Sequence, residues 1–232
     1  MDGQDETKRA LVVAAHPDDP DFGAGGTAAL WSRDGWEFYY LACTNGAKGS
    51  SDPDMDPAEL VESRQAEQRQ AAQALGVRDV FFLGHVDGEL APSRRFLGEV
   101  VRYIRQLRPY AVFTHSPEIV IGNRFINHTD HRCTGTTAID AVYPTARDHL
   151  NFPEQIAEGL EPHKVKQIYI WGSNEPTFNV DITDVVDLKV DALMRHQSQF
   201  GAREDFMQRV RERWVDEDGR FTEKFQLVEL QF

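Results

Sequence analysis

The sequence predicts an α/β protein, a doubly wound and largely parallel sheet with helices on both faces. Three observations carry this. Short apolar runs alternate along the chain with segments of helical periodicity, the pattern of successive β–α units. The clearest run, Ala10-Leu11-Val12-Val13, is continuously apolar, so it reads as a strand buried on both faces. Turn-rich polar segments follow the strands, which puts them together at one edge of the sheet.

Residues 1–8 read as a loose tail, and the first strand covers roughly 9–15. Phe22-Gly23-Ala24-Gly25-Gly26-Thr27 reads as a loop opening into a helix over 27–33, which ends near Gly35. Aromatic residues mark a second strand over 36–43. A turn-rich loop, Thr44-Asn45-Gly46-Ala47-Lys48-Gly49-Ser50, continues to Pro57. Helical spacing is clearest over 59–75, with Gly76 as the stop. A third strand spans 79–83 and a loop follows over 85–90. Leu97, Val100, Val101 and Ile104 share one face of a helix over 93–107, which Pro109 ends. The fourth strand is 111–115, and 116–127 reads as irregular. His128-Thr129-Asp130-His131-Arg132 opens a small-residue helix that Pro144 interrupts. Residues 145–164 form a poorly patterned excursion before a strand over 166–171. An edge strand over 179–182, helices over 184–197 and 204–214, and a terminal strand over 224–232 complete the chain. The rhythm is Rossmann-like, with no repeat or linker, so one domain is expected over 1–232.

With 232 residues, 41% of them hydrophobic, the chain can bury one substantial core. A net charge of −13 argues against a nucleic-acid surface. No apolar run approaches the ~20 residues of a spanning helix, so no membrane partner is expected. The polar, acidic start is not a signal peptide, and the expected location is the cytoplasm. Cys43 and Cys133 cannot form a disulfide framework or a Cys-rich zinc site, so any metal must use His and carboxylate. A homo-oligomer is left open.

The chemistry centres on Ala14-Ala15-His16-Pro17-Asp18-Asp19, just past the first strand, where open parallel sheets bind ligands. His16 alone reads as a structural histidine, and Asp18-Asp19 alone as a helix cap. His128 and His131 are three residues apart, so on a helical turn they face the same way, again near a strand end. On spacing alone, structural residues and a His/Asp metal site both stand.

These segments resemble the LmbE/PIG-L family of zinc-dependent N-deacetylases. The motif Ala14-His16-Pro17-Asp18-Asp19 with Gly25-Gly26, joined to His128-Thr129-Asp130-His131, carries the resemblance. Thr44-Asn45-Gly46, the helix from Arg64 to Gly76, Asp87-Gly88 and His196-Gln197-Ser198-Gln199 extend it to about residues 9–200. It implies removal of an acetyl or other acyl group from an N-acyl amino sugar, its conjugate or a related small amide. It implies His16, Asp19 and His131 as ligands of Zn²⁺, a set that also suits Fe²⁺. Asp18 becomes the general base, His128 an imidazolium supporting the oxyanion, and Asp130 its orienting partner. Arg64 and Asp87 match substrate-binding positions. The alternatives are an amidase for a larger acyl or thiol-conjugate amide, and a non-catalytic carbohydrate- or metal-binding module.

Two positions depart from the family pattern: Pro20 where many members carry Glu, and Ala47 where an acidic residue often follows the turn. Gly25-Gly26 reads as a close-packing site, since the dinucleotide fingerprint is not met. His85, His115 and His196 could approach the site, His196 with the family match behind it. Trp31, Trp36, Trp171 and Trp214 read as core or interface residues.

Overall fold

The computed structural model describes residues 8–122, 125–201 and 204–231, so most of the expected tail and the final residue of the terminal strand lie outside the described residues. Strand β1 (Arg9–Ala14) leads into α1 (Asp19–Arg33), β2 (Glu37–Thr44), α2 (Pro57–Ala74), β3 (Asp79–His85), α3 (Arg94–Leu107) and β4 (Ala111–His115). Two short strands, β5 (Ile121–Gly122) and β6 (Phe125–Ile126), pair antiparallel before α4 (Thr129–Asp140). Then come α5 (Pro153–Ala157), β7 (Gln167–Trp171), β8 (Phe178–Asp181), α6 (Val186–Leu193), α7 (Gln197–Phe200), α8 (Glu204–Arg211) and β9 (Thr222–Glu229).

The main sheet has seven strands in the order β3-β2-β1-β4-β7-β9-β8. The first five run parallel, and β9 is antiparallel to both β7 and β8. Alternate residues of β1 feed two cores. Val12 packs with Phe38, Phe113 and the α1 and α2 residues Ala28 and Ala71 on one face. Leu11 and Val13 pack with Phe96 and Val100 of α3 and Ala138 of α4 on the other. Both faces are covered, which is why the strands read as continuous apolar runs.

The chain steps outward from β1 to β2 and β3, then crosses back to lay β4 on the other side of β1. The β1/β4 boundary is thus a topological switch point, where the loops beyond the strand ends part and leave a crevice. The site forms there.

Two expectations are corrected and a third gains detail. Helix α1 begins at Asp19, so the glycine-rich segment read as a loop is its first turns. Glycine disfavours helix in isolation, but packing overrides propensity here. A Cβ at Gly23 would lie 2.5 Å from the Trp171 ring, so only glycine lets the helix sit this close to β7. The stretch 116–127, read as irregular, carries β5 and β6. The excursion 145–164 contains α5, fastened by Arg105, whose guanidinium donates to the carbonyls of Ala146, Asp148, Asn151 and Phe152.

Candidate active site

His16 follows β1, Asp19 opens α1, and His131 sits in the first turn of α4. The fold brings all three together. His16 Nδ1 lies 3.1 Å from Asp19 Oδ2 and 3.3 Å from His131 Nε2, and His131 Nε2 lies 3.2 Å from Asp19 Oδ1. Two imidazole nitrogens and a carboxylate facing one another at these separations suit a shared cation. Donors ~2.0–2.1 Å from a tetrahedral zinc stand ~3.3 Å apart, so the set fits. The two motifs are anchored independently of any ion. The His16 backbone N–H donates to Asp19 Oδ2 at 2.7 Å, and Asp130 holds the far side of the His16 ring at 3.2 Å. A carboxylate on the second nitrogen of a ligand imidazole fixes its orientation and raises its basicity.

The charges agree with the donor chemistry. Burial opposes a charge on His16, yet hydrogen bonds to Asp130, Asp19 and Asp87 outweigh it and push the ring up to about 12. Asp19 is held well below the usual carboxylate range: burial acts against it, but His131 and His115 prevail. A buried site ringed by Asp18, Asp19, Asp87 and Asp130 calls for positive charge.

Asp18 lies beside this donor set in a strained backbone conformation, φ 99°. Such a φ in a non-glycine residue costs of order 1–3 kcal/mol and needs support. Gln68 of α2 supplies it, accepting from the Asp18 N–H at 2.7 Å. Arg64, one turn earlier, donates to the Pro17 carbonyl at 2.6 Å and lies 3.3 Å from Asp18 Oδ2. It also donates to the carbonyl of Gly46, where φ is +66° and a Cβ would sit 2.7 Å from the guanidinium. Burial raises the Asp18 carboxyl to about 6, against the pull of Arg64.

The remaining expected residues also converge. Asp87 Oδ1 lies 3.1 Å from His16 Nε2, and its Oδ2 accepts from the Lys48 backbone. Arg64 and Asp87 therefore brace the site, whatever else they contact. Asp130 is fully buried and accepts from the backbone nitrogens of Gly88 and Leu90 as well as from His16. Its carboxylate is 3.9 Å from His128 Nδ1; it is the Asp130 backbone N–H that donates to that nitrogen, at 3.1 Å. The Asp130 side chain thus orients His16, and its main chain orients His128. Burial, then the charge on His16, holds His128 below its ordinary value. With Nδ1 accepting, the neutral ring carries its proton on Nε2.

One feature escaped sequence reading, and a histidine expected near the site, His115, is placed there. Buried Asp21 receives His196 Nε2 and Gln68 Nε2, each at 2.8 Å, so the chain His196–Asp21–Gln68 ends on the Asp18 backbone. His196 carried a family signal, but nothing in the pattern singled out Gln68. His115, at the end of β4, stacks on His131 with ring centroids 4.2 Å apart and accepts from the Ala15 N–H. Burial pushes it down to about 4. Two of the tryptophans read as core or interface, Trp171 and Trp214, line a cavity of about 460 Å³ that opens against Asp19 and His131.

The family profile for GlcNAc-PI de-N-acetylases, PIG-L, matches residues 11–142, from β1 through α4. The chain belongs to the PIG-L family. It is 33% identical over 195 residues to diacetylchitobiose deacetylase of Thermococcus kodakarensis, covering 84% of this chain and 71% of that protein. It is 29% identical over 196 residues to a 1D-myo-inositol 2-acetamido-2-deoxy-alpha-D-glucopyranoside deacetylase of Kineococcus radiotolerans, covering 71% of this chain and 52% of that protein. Among solved structures it superposes on N,N'-diacetylchitobiose deacetylase from Pyrococcus horikoshii with a TM-score of 0.87 at 29% identity, covering 99% of this chain and 88% of that one. The PIG-L match contains every residue that the motifs single out for metal, base and oxyanion roles. Among the described residues, no helix is long and apolar enough to cross a membrane.

Proposed function

We propose that this PIG-L protein is a zinc-dependent hydrolase that removes the acetyl group from the amine of an N-acetylated amino sugar or its conjugate. The observation that supports this most is the convergence of His16 Nδ1, His131 Nε2 and Asp19 on one point, with Asp18 beside it. Two His and one carboxylate leave room for water and substrate on zinc, as catalytic rather than structural sites do. Zinc held there would polarise the amide carbonyl and lower the pKa of water. Ferrous iron would suit the same donors.

The chain's own residues then divide the work. Asp18 takes the proton from the attacking water; its backbone is fixed by Gln68 and its carboxylate is steadied by Arg64. His128 presents Nε2–H to the carbonyl oxygen as charge develops there, the role of an oxyanion donor. Because burial favours the neutral ring, His128 acts as a donor without standing as an imidazolium in the free protein. Asp18, once protonated, holds the proton that the departing nitrogen needs. Asp130 keeps both His16 and His128 in orientation. The sugar hydroxyls fall to Arg64 and Asp87, whose side of the site is polar.

Release of acetate from N-acetylglucosamine, diacetylchitobiose and N-acetylglucosaminyl-inositol by metal-quantified protein tests this. Acetate formation that stops with chelator and returns with Zn²⁺ supports the reading. Metal-loaded protein that releases no acetate from any of them contradicts it.

A further inference from the structure

The cavity against Asp19 and His131 occupies a different side of the centre from the polar residues. Arg64, Asp87 and His128 do not line it. Its walls are apolar where they count: Phe22, Val120, Phe125, Trp171 and Trp214. Part of its polar lining is already engaged, and the cations Arg213 and Lys224 also line it. Asn127 binds the Val120 N–H and the Glu118 carbonyl. Glu223 accepts from the Gly26 and Thr27 backbones and from buried Lys189. His115 Nε2 accepts from Ala15. Sugar hydroxyls set against the apolar walls would lose water without gaining partners there, which is costly.

A secondary amide is planar and trans, so its acyl and amine substituents leave the carbonyl in opposite directions. This step rests on the hydrolase reading above. If the sugar amine lies toward Arg64 and Asp87, the acyl group points into the cavity. An acetyl methyl is about the size of one water, ~30 Å³. The cavity, at about 460 Å³, is of the size that buries whole small ligands.

We infer that this cavity is an acyl-binding site, and that the protein hydrolyses N-acyl amino sugars whose acyl group is larger than acetyl and apolar, a medium-chain or aryl acyl group. The reaction is unchanged: water adds its oxygen to the carbonyl carbon, the C–N bond breaks, and carboxylate and amine leave. Val120 and Phe125 set the depth available to the acyl group, and the Trp171 face receives it.

The test compares N-acetyl-, N-hexanoyl- and N-benzoyl-glucosamine with metal-loaded wild type and with Val120→Trp, which fills the cavity. Wild type is expected to hydrolyse the hexanoyl or benzoyl compound with kcat/KM about tenfold or more above acetyl, what burying roughly two extra methylenes contributes. Val120→Trp should abolish that preference and leave acetyl turnover within about threefold, since a methyl does not reach it. Binding of hexanoate and acetate, measured by calorimetry, gives a second readout free of the variant; hexanoate should bind tighter. Acetyl turnover with no hydrolysis of the longer compounds overturns the inference and leaves the deacetylase reading standing. A Val120→Trp variant that lowers all substrates alike assigns the cavity to the sugar and also overturns it. No turnover of any compound removes the hydrolase reading and this inference with it.

Discussion

The side-chain oxygen of Gln68 accepts a 2.7 Å hydrogen bond from the backbone nitrogen of Asp18. That bond joins helix α2 to the one residue at the site with a strained left-handed backbone, φ 99°. Asp21 and His196 hold the other end of Gln68, so a buried chain from α7's N-terminal edge reaches the proposed base. The carboxylate of Asp18 can stay fixed only while its backbone is.

Gln68→Leu should therefore lower kcat by about tenfold with KM and bound metal little changed, the effect of losing one well-placed buried hydrogen bond at the base. Steady-state kinetics on metal-quantified variant checks this. A fall in metal content with kcat per metal unchanged would show that Gln68 serves only the scaffold.

Asp18→Asn should retain the metal and lose roughly 10²–10⁴ in kcat, the range for removal of a general base. In wild type the base must be ionised. Burial raises its carboxyl to about 6, and a bound divalent cation draws it down. Activity should rise with pH along an acid limb at or below about 6 and stay level above it. A pH–kcat/KM profile with the limb absent in both proteins would remove Asp18 from the role.

Metal chemistry restricts residue types, which is why the proposed donors His16, Asp19 and His131 stand out in two short segments, one just past β1 and one opening α4. The parallel strands were legible because both their faces are buried. Gln68 was not legible, since on an amphipathic helix it looks like any solvated polar residue, although here it is fully buried. The start of α1 was misread because Gly23 is there for contact with Trp171, a partner far away in sequence. The cavity depends on β5, β6 and the approach to β9, which come together only in three dimensions.

His196 gives a stability signature. Burial alone would lower its pKa, but the Asp21 carboxylate outweighs burial and raises it. A raised histidine binds its proton more tightly in the folded chain, so its stabilisation is complete below its unfolded pKa of about 6.5 and fades as pH climbs through the folded value. His196→Gln should lower Tm more at about pH 6 than at about pH 9. Equal losses at both would mean that the pair is not ionic.

Lys189 and Glu223 form a buried ion pair that ties α6 and β9 to the α1 backbone at Phe22, Gly26 and Thr27. Lys189→Met leaves the carboxylate without its cation and should cost about 3–5 kcal/mol. The double variant Lys189→Met/Glu223→Gln should recover part of that loss. Denaturant unfolding of the two variants and wild type measures both; a double variant less stable than the single would contradict a pair held by charge.

The central claim is that one divalent ion is held by side chains from the end of β1, the start of α1 and the first turn of α4. Anomalous diffraction at the zinc edge from crystals of the zinc-loaded protein tests it. The account predicts a single strong peak ~2.0–2.2 Å from His16 Nδ1, an Asp19 oxygen and His131 Nε2. A peak seated instead among Asp87, His128 and Asp130, or none near His16, would contradict it.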